Sequence, residues 1–103
     1  MNYNNRLDFF IIIADRKRKN DLVELIKQSG GRVINSLYGR GSVRVDSLLD
    51  IFGFVPEENK IIITSLLASD KSADLIETLS KAMNFNKPNT GIAFTVPVEG
   101  LSY

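Results

Sequence analysis

Phe9-Phe10-Ile11-Ile12-Ile13-Ala14 is the longest unbroken apolar stretch of the chain. It is far too short to span a bilayer, and it runs straight into the charged group Asp15-Arg16-Lys17-Arg18-Lys19. Aromatic and β-branched residues in a short run predict a strand, Leu7 to Ala14. Successive strand side chains point to opposite faces, so a strand apolar at every position needs cover on both sides. Phe9, Ile11 and Ile13 are expected to face the body of the domain, which leaves Phe10, Ile12 and Ala14 needing a second cover. Ile61-Ile62-Ile63 repeats the pattern in a strand predicted over Lys60 to Leu67. An apolar sheet face of that extent exceeds what a monomer normally exposes, and it asks for oligomerisation through the sheet.

The remaining elements follow from periodicity. Asn20 or Asp21 can cap a helix carrying Leu22, Val23, Leu25 and Ile26, and Gly30-Gly31 stops it. Arg32 to Tyr38 is β in character, with Val33, Asn35 and Leu37 on one face and Ile34, Ser36 and Tyr38 on the other. Ser69 or Asp70 caps a second helix, in which Ala73, Leu75, Ile76, Leu79 and Met83 recur at helical spacing. Asn84 to Thr90 is a turn-rich connector, and Gly91 to Pro97 a last strand. The order is β-α-β-β-α-β, which predicts a ferredoxin-like α+β domain: a four-stranded antiparallel sheet with both helices on one face. A chain of 103 residues holds one such domain, here 1–103.

Composition narrows the function. Without cysteine there are no disulfides, thiol nucleophiles or thiolate metal sites, and without histidine the commonest metal ligand and general base are missing. Asp8, Asp15, Asp46, Asp50 and Glu99 are scattered, with no pair at a spacing that favours acid-base work, so an enzyme is not expected. A net charge of +1 argues against a broad nucleic-acid footprint, and the basic run Arg16 to Lys19 reads as a solvated helix start. No signal-peptide pattern opens the chain, so a cytoplasmic protein without membrane insertion is expected.

Two glycine-containing turns are the candidates for ligand binding. Residues 40–59 form a connector of 20 residues where a hairpin needs only a few, and connectors of that length are usually functional. Within it, Asp46 can cap a short helix near 46–52, stopped by Gly53. At its mouth, Gly39, Arg40, Gly41 and Ser42 combine backbone N–H groups free to turn toward an anion with a guanidinium fork. The second turn offers Lys87, Asn89, Thr90 and the Gly91 backbone. In a split βαβ arrangement the two turns lie near opposite edges of one subunit and would converge only across a subunit boundary.

Element order from Leu7 to Val98, the run Tyr38-Gly39-Arg40 before the long connector, and the segment Gly91-Ile92-Ala93-Phe94-Thr95-Val96-Pro97-Val98-Glu99 together resemble the nitrogen regulatory PII family and its PII-like relatives. The resemblance implies a homotrimer with a small anionic ligand, an adenine nucleotide among typical members, in clefts between subunits. It also implies a mobile T-loop at residues 40–59 that reports ligand state to a regulated target protein, often in nitrogen metabolism. Gly39, Arg40 and Gly41 would be T-loop base residues near the phosphates, and Asn89, Thr90 and Gly91 the phosphate-facing B-loop. The chain departs from the typical pattern at Ile92, where a phosphate-binding lysine is usual, and it lacks the C-terminal paired arginines and the loop glutamine. The resemblance is therefore to a PII-like member with an atypical T-loop. Two other readings stand beside it: a ligand-free structural or adaptor trimer, and an RNA-binding module using Phe9 and Phe10, although the third strand carries no aromatic.

Overall fold

The computed structural model describes residues 6–38, 60–87 and 90–99. Strand β1 (Leu7–Asp15) leads through a 3-10 turn (Arg16–Arg18) into helix α1 (Lys19–Gln28) and strand β2 (Arg32–Tyr38). Strand β3 (Lys60–Ala68), helix α2 (Ser69–Ala82) and strand β4 (Gly91–Pro97) complete the set. The strands form one antiparallel sheet in the order β2-β3-β1-β4. This is the βαββαβ ferredoxin-like arrangement expected from the sequence. The short helix expected near 46–52 lies outside the described residues.

The face assignment of β1 is the reverse of the expectation. Phe10, Ile12 and Ala14, with Ile61, Ile63 and Leu67 of β3, pack against Leu22 and Ile26 of α1 and against Leu75, Leu79 and Met83 at α2. Phe9, Ile11 and Ile13 look the other way. Alternation settles that two sets exist, but with apolar residues at both parities it cannot say which set meets the helices. The second face carries its own cluster of Ile11, Ile13 and Ile62, flanked by Ile92 and Phe94. Register extends that face across the sheet, because Phe9 pairs with Val96 and Leu66, and Ile62 with Leu37. Phe9, Leu37 and Val96 remain exposed there.

Local chemistry moves the helix starts from where periodicity put them. Asp15, not Asn20 or Asp21, caps the turn into α1, its carboxylate accepting from the Lys17 amide at 2.9 Å. Ser69 begins α2, but its hydroxyl donates to Asp8 Oδ1 at 3.1 Å instead of capping the helix. Gly30 ends α1 at φ +85, and Gly31 is held by proximity: a Cβ there would lie 2.2 Å from Ile26 Cγ2. On α2, Leu75, Leu79 and Met83 are buried as expected, while Ala73 and Ile76 are exposed and Ser72 takes the inner position.

In β2 the alternation breaks once. Arg32 pairs with Leu66 and Asn35 with Thr64, so Val33 and Ile34 together oppose Ser65, a β-bulge. Val33 takes φ 52, a left-handed conformation unfavourable for a β-branched residue. The buried Ser65 hydroxyl donates to the Arg32 carbonyl at 2.9 Å and ties the bulge down. Beyond it, Ile34 packs toward the helices, Asn35 and Leu37 share the open face, and Ser36 lies on the helix side.

Candidate ligand site at one end of the sheet

Pairing places four strand ends together. Ala14 faces Gly91 across one ladder and Ile61 across the other, Asp15 faces Lys60, and Tyr38 faces Ile61. The end of β2, from which Gly39, Arg40, Gly41 and Ser42 continue, and the start of β4 therefore occupy the same end of the sheet. They sit on its two outer strands, with β3 and β1 between. Three inter-strand spacings of about 4.8 Å separate them by about 14 Å. Gly39–Ser42 and Asn89 lie outside the described residues, whereas Lys87, Thr90 and Gly91 lie within them.

The connector from α2 to β4 folds on itself. Asn84 adopts φ 59, and behind it the Phe85 amide returns to the Leu79 carbonyl at 3.1 Å. The Lys87 amide closes a turn on the Asn84 carbonyl at 2.9 Å. Thr90 Oγ1 donates to the Lys87 carbonyl at 2.9 Å and also lies against the Asn84 carbonyl. A hydroxyl has one proton, so it serves these two acceptors in turn. Thr90 is thus engaged in holding the connector closed, while the Lys87 side chain is exposed.

Gly91 is needed for space. A Cβ at this position would stand 2.4 Å from Phe85 Cζ and within 2.8 Å of both Cε atoms, so the Phe85 ring lies directly on the backbone that starts β4.

Against that ring sits a residue that sequence reasoning passed over. The Arg18 guanidinium carbon is 5.5 Å from the Phe85 ring centroid, and Nη1 donates to the Thr90 carbonyl at 3.4 Å. Of the basic run, Arg16 and Lys17 are exposed, but Arg18 and Lys19 are half-buried. The expectation of a wholly solvated run fails here because Arg18 and Thr90 are 72 residues apart, and only the β1–β4 pairing brings them together. Arg16, Lys17, Arg18 and Lys60 give this end of the sheet a cationic cast, with Asp15 among them. Among the described residues, no group of three or more histidine, cysteine, aspartate or glutamate side chains could hold a metal ion.

The strand order and the two helices on one face define a ferredoxin-like α+β domain. More narrowly, the chain has the fold of the PII-like signalling proteins. A PII-like signalling protein from Thermus thermophilus superposes with a TM-score of 0.65 over 90% of this chain and 86% of its own, at 17% identity. The apo form of CPII from Thiomonas intermedia, a nitrogen regulatory PII-like protein, gives 0.66 over 90% and 89%, at 14% identity. CPII bound to ADP, AMP and acetate gives 0.63 over 92% and 90%, at 19% identity. At these identities the likeness is one of fold. No family model and no curated protein matches the sequence. Among the described residues, no helix is long and apolar enough to cross a membrane.

Proposed function

We propose that this chain is a PII-like regulatory protein that binds a small anionic ligand, an adenine nucleotide foremost, between the subunits of a homotrimer and passes that state to a target protein. One observation carries the reading. The end of β2 at Tyr38, which precedes Gly39–Ser42, and the start of β4 at Gly91 lie at the same end of the sheet on opposite outer strands, about 14 Å apart, so that neighbouring copies are the natural way to bring both turns onto one ligand. Gly39, Arg40, Gly41 and Ser42 would come from one subunit and Lys87, Asn89, Thr90 and Gly91 from the next. The apolar face bearing Phe9, Leu37 and Val96 supports assembly through the sheet. Solved CPII structures bound to ADP, AMP and bicarbonate support the ligand class. In this reading residues 1–103 are a single domain, 40–59 are its reporting loop, and the role is regulatory rather than enzymatic, in the cytoplasm and in nitrogen metabolism by analogy of fold.

A ligand-free adaptor trimer is the second reading. It is favoured by Ile92 at the position after the glycine and by a Thr90 hydroxyl already spent on the connector's own carbonyls. An RNA-binding module has less support, since Phe10 is buried under the helices and only Phe9 of the pair reaches the open face.

Thermal unfolding with ADP, AMP, ATP, 2-oxoglutarate and bicarbonate, alongside light scattering, separates these readings. ADP is expected to stabilise in proportion to the logarithm of its concentration above Kd, by about 2.7 kcal/mol at a hundredfold excess over Kd, with a mass of three chains. A three-chain assembly that no nucleotide stabilises supports the adaptor, and a folded monomer overturns an interface site.

A further inference from the structure

We propose that Arg18 is a positioning residue for the anion site, a latch that sets the start of β4; this rests on the nucleotide-binding reading above. Three contacts define the latch. The guanidinium covers one side of the Phe85 ring, the ring lies on Gly91, and Nη1 holds the Thr90 carbonyl. The consequence follows from the planarity of the peptide unit. In a trans peptide the carbonyl and the following N–H point in opposite directions, so a Thr90 carbonyl held toward Arg18 sends the Gly91 N–H away from it. That direction is the edge of β4 not paired with β1. Arg18 thereby presents a backbone donor on an open strand edge, beside the exposed Lys87.

The arrangement also accounts for the half-burial of Arg18 in a run whose first two members are exposed. Guanidinium suits the place better than ammonium, because a planar fork stacks on a ring while donating in its own plane. Arg18 acts through the Thr90 carbonyl; the ligand contact is the Gly91 N–H.

The test uses the full-length protein, ADP as probe, and the variants Arg18→Ala, Arg18→Lys and Phe85→Leu. ADP affinity is read by calorimetry, and amide hydrogen exchange is followed without ligand. Arg18→Ala is expected to weaken ADP by about 5- to 30-fold, with Phe85→Leu similar, since each removes one half of the same charged contact. The double variant should be no more than about twofold worse than the weaker single, the mark of two residues acting as a unit. Arg18→Lys should recover part of the affinity. In the unliganded protein, Arg18→Ala should speed exchange at the Phe85 and Lys87 amides while leaving β1 and β3 amides unchanged.

The two readouts fail separately. Wild-type protein that binds no ADP overturns the nucleotide reading, and with it the site that Arg18 serves. Wild-type binding with unchanged affinity in Arg18→Ala, additive losses in the double variant, or unchanged exchange at Phe85 and Lys87 overturns the latch while the reading stands.

Discussion

Replacing Gly91 by alanine tests the closest approach in the candidate site. The new Cβ would begin 2.4 Å from Phe85 Cζ, 2.6 Å from Cε1 and 2.8 Å from Cε2. Ordinary carbon–carbon contact lies near about 3.5–4.0 Å, so the ring must retreat by about an ångström or more. Phe85 is half-buried, which puts the packing cost near the lower half of the usual overpacking range, about 1–2 kcal/mol. Retreat also disturbs the seat of the Arg18 guanidinium on the ring, worth about a further 0.5–1 kcal/mol. The expected loss is therefore about 1.5–3 kcal/mol. The assay is equilibrium urea unfolding of wild type, Gly91→Ala, Phe85→Ala and the double variant, at one protein concentration, since the proposed assembly would contribute to apparent stability. With the ring gone, Gly91→Ala should cost less than about 0.5 kcal/mol, so the cycle should show coupling of at least about 1 kcal/mol. Additive losses would refute the reasoning, for they would mean that Gly91 is needed for its backbone and not for the ring above it.

Other consequences are simpler to read. Ser65→Ala removes the hydroxyl that satisfies the Arg32 carbonyl beside the bulge and should cost about 1–2 kcal/mol in denaturant unfolding; a neutral result would show the bulge needs no tie. Val33→Gly relieves a left-handed β-branched residue that costs about 1–2 kcal/mol, against about 0.4–1 kcal/mol of added chain entropy. Its side chain is 68% exposed, so a net gain of about 0.5 kcal/mol is expected, and a loss above about 1 kcal/mol would contradict that backbone conformation. Phe9→Lys and Val96→Lys place like charges on a cross-strand pair of the open face and should dissociate the proposed trimer in light scattering while circular dichroism stays native; a persistent oligomer would move the interface elsewhere. Glu77 is held below its ordinary value and Lys81 above its own, each first by their shared 2.6 Å hydrogen bond and then by charge. The Glu77 contribution is thus present above the ordinary carboxylate range and lost as pH falls through the lowered value. That of Lys81 is present below the ordinary ammonium range and lost as pH rises through the raised one. Glu77→Gln should lower the neutral-pH stability plateau slightly and converge with wild type in acid, the difference staying small because both groups are exposed.

Most of what depends on near neighbours could be read from the linear chain, the Asp15 cap over the Lys17 amide being the exception. Strand runs such as Leu7–Asp15 and Lys60–Ala68, the helical stripe ending in Leu75, Leu79 and Met83, and the glycine stop at Gly30 are set within a few residues, and the element order follows from them. The order in turn points to the sheet topology, because few unknotted connections satisfy it. The turn ahead of β4 was legible as well, since Gly91 and Thr90 advertise themselves by residue type. Their reasons were not. Gly91 reads as a flexible phosphate turn, but its want of a side chain answers to the Phe85 ring. Folding alone settled which parity of β1 faces the helices, the bulge at Val33 and the engagement of Arg18 with Thr90. Each depends on a partner that pairing or packing delivers. A side chain in the linear sequence carries its chemistry, but contact energy falls so steeply with distance that only the assembled fold selects which of many compatible partners it meets.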